Sequence, residues 1–121
     1  MLIPGFYTIQ QFEQDEKQLV ASIKLNTTHE IYKGHFPDQP VVPGVIQLQI
    51  IKELAEQALN KKLLLQRLTF AKYLRMIVPG QTPTLGLQID FSFNENEVKF
   101  STVIRFESNV FTKVKGVFLI K

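Results

Sequence analysis

The chain has 121 residues, 45% of them hydrophobic, and carries a formal net charge of +3 at pH 7. A chain of this length buries roughly two-thirds of its unfolded surface without help from a metal or a disulfide, so we expect one domain over residues 1–121. The absence of cysteine excludes disulfide bonds and thiolate chemistry, and the small basic excess is what ordinary solvated lysines supply.

The N-terminal segment carries no recognisable targeting signal. Residues 1–10 have neither a basic leader nor an apolar signal core, and no apolar run in the chain approaches the length of a membrane span. We therefore expect a cytoplasmic protein with no membrane contact. Phe6, Ile9 and Phe12 predict a short cap or an edge segment of a sheet.

The first clear strand pattern follows this segment. Over Gln18–Leu25 the odd-numbered side chains form an apolar face, which predicts a half-buried strand. Residues 26–30 are rich in turn formers, and residues 31–33 fit a short extended piece.

Only one segment has the pattern of a long helix. From residue 45 to about residue 60, apolar side chains recur at spacings of three and four. The first turns have few polar residues, so we expect this half of the helix to be buried nearly all round. Asn60 is suited to end the helix.

Strand patterns after the helix cover residues 63–70, 85–93, 98–106 and 110–120. Turn-forming residues separate them at Pro79-Gly80, at 94–97 and at 107–109. This order predicts an α+β fold, with an antiparallel sheet of five or six strands laid over one long helix. Ten phenylalanines leave apolar area on the edges or the outer face of such a sheet, which favours a dimer that continues the sheet.

A proline-rich loop leads into the helix and contains the better placed of the two histidines. Its sequence is Gly34-His35-Phe36-Pro37-Asp38-Gln39-Pro40-Val41-Val42-Pro43-Gly44. Each proline fixes its own φ near about −65° and pushes the preceding residue into extended geometry. A rigid loop that carries a histidine to the start of a helix is well suited to chemistry.

This loop, continued to Val45, resembles the signature of the hot-dog fold 3-hydroxyacyl-acyl-carrier-protein dehydratases of fatty acid synthesis. The stretches His29-Glu30-Ile31-Tyr32 and Met76-Ile77-Val78-Pro79-Gly80-Gln81 are similar to two further elements of that family. The resemblance covers residues 25 to 85. It implies a hot-dog fold in a homodimer or a trimer of dimers, with two active sites at the dimer interface.

The resemblance also implies an activity and site residues. A 3-hydroxyacyl chain, carried on the phosphopantetheine arm of acyl carrier protein, would lose water to give the trans-2-enoyl thioester without any cofactor of the enzyme itself. His35 matches the histidine that takes the α-proton, and the Gly44 N–H matches the group that polarises the thioester carbonyl. Phe36, Pro43 and Val45 would contact the substrate. The chemistry agrees, because a neutral imidazole accepts a proton near pH 7 and N–H groups at a helix start stabilise a developing oxyanion.

One position departs from the family pattern. The family has Glu or Asp on the helix fourteen residues after the histidine, reaching the site from the partner subunit, and this chain has Gln49 there. An amide hydrogen-bonds a hydroxyl but does not transfer protons in the working pH range. Glu53 and Asp38 are candidate replacements, although we expect Glu53 to be a solvated carboxylate paired with Lys52 or Gln57, and Asp38 to be a turn former.

Gln49 keeps other functions open. The chain can be a non-catalytic or partner-dependent module that binds acyl carrier protein or acyl chains, as one subunit of a heterodimeric dehydratase. A hot-dog thioesterase is a weaker alternative, because that chemistry needs a carboxylate to activate water.

The remaining charged residues predict little further chemistry. His29 is expected to fix a turn by a hydrogen bond, and no third ligand is spaced to make a metal site with the two histidines. Basic residues at 67, 72, 75, 99, 105, 113 and 115 could dock an acidic carrier protein. No basic run interleaves with aromatic residues as in nucleic-acid-binding motifs, so we expect no nucleic-acid partner.

Overall fold

The structure is a computed structural model that describes residues 4–34 and 40–121. Within these residues, two helices and six strands follow one another in the order β1, β2, α1, α2, β3, β4, β5, β6. The helices are α1 (Ile31–Gly34) and α2 (Gly44–Leu59). The strands are β1 (Tyr7–Gln14), β2 (Gln18–Leu25), β3 (Leu63–Tyr73), β4 (Thr84–Asn94), β5 (Glu97–Phe106) and β6 (Asn109–Ile120).

All six strands form one sheet in the order β1-β2-β4-β5-β6-β3, and every neighbouring pair is antiparallel. Alternate side chains of β2, β4, β5 and β6 form the apolar face of this sheet. They share the core with Ile50, Ile51, Leu54 and Ala55 of α2. The predicted α+β fold, with a six-stranded antiparallel sheet around one long helix, is therefore confirmed.

Local sequence signals correctly predicted most of the positions where helices and strands end. Helix α2 ends at Asn60, which adopts the left-handed conformation (φ 53°, ψ 45°) and donates its N–H to the Glu56 carbonyl. The two predicted hairpin turns join β4 to β5 and β5 to β6, each with one glutamate at positive φ, Glu95 (56°) and Glu107 (55°). The edge segment expected near the N-terminus is an edge strand, β1.

The extended piece predicted at residues 31–33 is wrong, because α1 forms there. The Nδ1 atom of His29 accepts the Ile31 N–H at 3.1 Å, and the His29 carbonyl accepts the Tyr32 N–H at 3.2 Å. These two bonds satisfy N–H groups that an isolated helical turn leaves without partners. A single turn of four residues is too short for a periodic sequence pattern to reveal it.

One expectation about burial also fails. The first half of α2 is not buried all round, since Val45 is 70% exposed at its first turn. Phe93, which continues the apolar alternation of β4, is 48% exposed because it lies at the end of that strand.

Candidate active site

Helix α2 begins without a side-chain cap. The residue before its first turn is Pro43, which is extended (φ −62°, ψ 153°) and has no side-chain acceptor. Its carbonyl accepts the N–H groups of Ile46 and Gln47, both at 3.1 Å. Within the described part of the chain, no hydrogen bond uses the N–H groups of Gly44 or Val45. The positive end of the helix dipole is therefore presented at Gly44.

A buried amide holds this helix start to the sheet. Gln47 is 3% exposed, and its Nε2 donates to the Val42 carbonyl at 3.1 Å. Its Oε1 accepts the hydroxyl proton of Thr112 on β6 at 2.6 Å. The Val42 N–H in turn donates to the Ile77 carbonyl at 2.9 Å. The extended residues before Gly44 are thus fixed from two sides. Sequence reasoning missed Gln47, although a polar residue inside an apolar helical run was the available signal.

Tyr73, at the end of β3, lies against the first residue of the helix. A Cβ atom added to Gly44 would be 2.6 Å from Cζ and 2.7 Å from Oη of Tyr73, so any larger residue would require the Tyr73 ring to move. Partial burial raises the pKa of the Tyr73 phenol, which stays protonated at neutral pH. Pro43, Gly44, Gln47 and Tyr73 line a cavity of about 200 Å³ together with Val41, Val42, Arg75 and Met76.

A second, more apolar groove runs along α2. Its volume is about 250 Å³, and it lies between the helix and strands β3, β5 and β6. Its walls are Val45, Leu48, Gln49, Ile51, Lys52, Leu64, Leu65, Phe100 and Phe118. The groove therefore begins one residue after Gly44, and Gln49 is the uncharged polar side chain in its wall. Such a groove can take an acyl chain, and Gln49 can hydrogen-bond a hydroxyl on it.

Glu53 is not the solvated carboxylate that we predicted. It is half-buried, and its Oε1 accepts the Tyr7 hydroxyl proton at 2.8 Å, while its Oε2 accepts from Gln49 Nε2 at 3.0 Å. Burial, followed by the hydrogen bond and charge of Glu53, raises the pKa of Tyr7. The prediction failed because Tyr7 belongs to β1, and its approach to the helix follows from the fold rather than from neighbouring residues.

The predicted site residues are only partly within the described residues. His35, Phe36 and Asp38 lie outside them. Pro43 and Gly44 line the cavity at the helix start, and Val45 and Gln49 line the groove along α2.

The second histidine has the structural role that we expected. The Nδ1 atom of His29 accepts a backbone N–H, so its Nε2 carries the proton and donates to the Pro4 carbonyl at 2.9 Å. Residues 4–34 and 40–121 contain no group of three His, Cys, Asp or Glu side chains placed to hold a metal. None of the helices found in those residues has the length and apolarity to span a membrane.

The sequence of the chain is similar to known proteins. The sequence profile of the ApeI-like family, described as ApeI dehydratase, matches residues 10–115. The 3-hydroxyacyl-[acyl-carrier-protein] dehydratase FabZ of Rickettsia conorii is 31% identical, over 88% of this chain and 79% of the relative. The same enzyme of Rickettsia canadensis is 30% identical, over 99% of this chain and 92% of the relative.

Solved structures agree on the fold. A chain of the dehydratase heterocomplex ApeI:P from Xenorhabdus doucetiae superposes with a TM-score of 0.75 at 21% identity, covering 93% of this chain and 96% of that one. YhdA from Lactococcus lactis, proposed to be a thioesterase, superposes with a TM-score of 0.66 at 14% identity, covering 99% and 97%. The shared architecture is the hot-dog fold.

Proposed function

The chain belongs to the ApeI-like dehydratase family, and from that premise we propose that it removes water from a 3-hydroxyacyl thioester carried on acyl carrier protein. The product would be the trans-2-enoyl thioester. The observation that carries this proposal is the apolar groove that begins at the uncapped helix start and has Gln49 in its wall. With a thioester carbonyl near the Gly44 N–H of one copy, the substrate hydroxyl would lie near the partner subunit's Gln49, and the acyl chain would follow the apolar groove.

In this proposal three residues share the chemistry. His35 takes the α-proton, and the N–H of Gly44 holds the negative charge that develops on the thioester oxygen. The Cβ–O bond then breaks as the Cα–Cβ double bond forms, and the leaving hydroxide needs a proton. Gln49 cannot supply that proton but can hold the hydroxyl, so the proton now on His35 returns to it and water leaves. No metal or organic cofactor is required, because the thioester itself acidifies the α-carbon.

Charge near the helix start suits an acidic carrier protein. Arg75 lines the cavity beside Gly44. Lys72 of β3 and Lys113 of β6 are cross-strand partners, and both are exposed. Positive side chains around an entrance speed the encounter with an acidic partner and lose this effect at high salt.

The free edge of β3 supports assembly into a homodimer. This strand pairs with β6 on one side and ends the sheet on the other. Leu64, Leu68 and Phe70 on it are 46%, 40% and 36% exposed. An apolar edge strand of 11 residues is a template for pairing with a second sheet, which would extend the sheet through β3 of both copies.

The test is turnover of a 3-hydroxyacyl thioester on acyl carrier protein, followed by mass spectrometry as the loss of one water. Wild type should turn over, and His35→Ala should reduce kcat by about 10²- to 10⁴-fold. The control is His29→Asn, which removes the other imidazole but keeps a side-chain acceptor for the Ile31 N–H, and it should keep kcat close to wild type. Equal turnover by His35→Ala and wild type would refute the catalytic assignment.

A second candidate function follows from the amide at position 49. The chain can be the subunit of a heterodimer in which another chain supplies a carboxylate, as the fold shared with the ApeI:P heterocomplex suggests. In that case the purified chain is silent alone, and Gln49→Glu gains activity. An active wild-type homodimer, identified by its mass in solution, excludes this candidate.

A further inference from the structure

Three side chains from two elements form a connected polar unit beside the groove. Tyr7 on β1 and Gln49 on α2 each donate a hydrogen bond to Glu53, one to each carboxylate oxygen, at 2.8 and 3.0 Å. Gln49 and Glu53 are one helical turn apart, which puts them on the same face of α2. Tyr7 lies 46 positions before Glu53 in the chain, so their contact depends on β1 packing across the helix.

The chemistry of the unit fixes the direction of each hydrogen bond. An ionised carboxylate only accepts, so the nitrogen of the Gln49 amide must face Glu53. Tyr7 keeps its proton because burial and the neighbouring carboxylate raise its pKa, and it therefore donates as well. The Gln49 carbonyl oxygen, on the other side of the amide carbon, is left for a different donor.

Glu53 is placed to act through Gln49 rather than on a ligand. Gln49 lines the apolar groove, whereas Glu53 is not among the described residues of the groove wall. Without Glu53, rotation of the amide by half a turn would present N–H groups instead of an oxygen. The carboxylate thus decides whether the groove offers an acceptor or a donor at this point.

We propose that Glu53, held by Tyr7, is a positioning residue that turns the Gln49 carbonyl oxygen toward the groove as the acceptor for the substrate's hydroxyl group. This inference rests on the proposed function and adds the selectivity of the groove for a hydroxylated acyl chain. A groove with a fixed, half-buried acceptor prefers an acyl chain whose hydroxyl meets that acceptor. A chain without the hydroxyl would cover the acceptor and leave it unpaired.

The test compares Glu53→Gln with wild type in two measurements. An amide at position 53 offers Gln49 either an oxygen or a nitrogen, so the orientation is no longer enforced. We expect kcat for the 3-hydroxyacyl thioester to fall by about tenfold, with a smaller change in KM. We expect the preference for binding a 3-hydroxyacyl over an unsubstituted acyl-carrier-protein thioester of equal length to fall by a similar factor.

Two further variants separate positioning from simple structural support. Glu56→Gln is the same substitution on the same helix at another half-buried glutamate, whose Oε2 accepts the Leu63 N–H at 2.9 Å, and it should leave kcat and selectivity unchanged. Tyr7→Phe keeps the Gln49–Glu53 bond but removes one of the hydrogen bonds that hold Glu53, and should reduce both quantities less than Glu53→Gln. Urea unfolding reports any loss of stability for all three variants.

The binding measurement keeps the two proposals distinguishable. If wild type prefers the hydroxylated chain and Glu53→Gln loses that preference, the positioning role stands even when no dehydration occurs, and only the proposed reaction fails. If wild type binds both chains equally, or if Glu53→Gln matches Glu56→Gln in kcat and selectivity, the positioning role is refuted whether or not the chain is a dehydratase.

Discussion

The hydrogen bonds of Gln47 allow a sharp test of how the helix start is fixed. Replacement by leucine removes the partner of the Thr112 hydroxyl and the N–H donor to the Val42 carbonyl. Each buried polar group left unpaired costs about 1–3 kcal/mol. A buried leucine returns roughly 1.5 to 3 kcal/mol relative to an exposed one. We therefore expect Gln47→Leu to lower the free energy of unfolding by about 2 kcal/mol.

Thr112→Val tests the same bond from the other side. It removes the hydroxyl and leaves the Gln47 oxygen unpaired, at an expected cost of about 1–3 kcal/mol. The double variant removes both partners, so its cost should be smaller than the sum of the two single costs by about 1–2 kcal/mol. Urea unfolding gives these values, with an unchanged slope as the sign that the comparison is valid.

Thr102→Val is the matched control. Thr102 is as buried as Thr112 (1% and 0% exposed), but its hydroxyl has no hydrogen-bond partner within the described residues. The same substitution there should be neutral or stabilising, because it removes a buried polar group that gains little. The reasoning is refuted if Thr112→Val costs no more than Thr102→Val, or if the two single variants of the pair add without coupling.

Two other predictions concern backbone approach and pH. A Cβ at Gly116 would lie 2.5 Å from the Arg67 backbone oxygen, so Gly116→Ala should lower the free energy of unfolding by about 1–3 kcal/mol. A Cβ at Gly86 would have its nearest neighbour at 3.6 Å, so Gly86→Ala should change Tm little. Equal Tm values for the two variants would contradict this. Burial raises the pKa of Tyr32 to about 12. The unfolded chain therefore loses this proton at lower pH than the folded chain, and stability should fall as pH rises from about 10 to about 12. Tyr32→Phe should show a shallower alkaline loss in urea midpoints, and parallel losses in both proteins would argue against the shift.

Local sequence patterns were enough to predict most of the fold. The alternation over Gln18–Leu25, the three- and four-residue spacing that marks α2, and the turn formers before β5 and β6 were enough to place their elements. Each of these signals depends on a residue's own backbone preference or on neighbours within a few positions. These signals missed the one-turn helix α1, because it is too short for a periodic pattern and is held by a hydrogen bond to the ring of His29.

The candidate site was predictable only where a motif marked it. Gly44 and Gln49 were singled out by their place in the loop and helix, and their roles stay predictions. The same holds for His35, which lies outside the described residues. Gln47 was hidden inside an apolar run, and Tyr73 had no signal that linked it to Gly44.

The sequence by itself determined most of the secondary structure, the fold class and the family motif, because these depend on short-range preferences. Only the tertiary structure decided that Tyr7 reaches Glu53, that Thr112 reaches Gln47 and that Tyr73 covers Gly44. The first two pairs are separated by 46 and 65 positions. Strand register and helix packing bring them within hydrogen-bond distance, and a change of one residue in register would turn a strand side chain to the other face of the sheet.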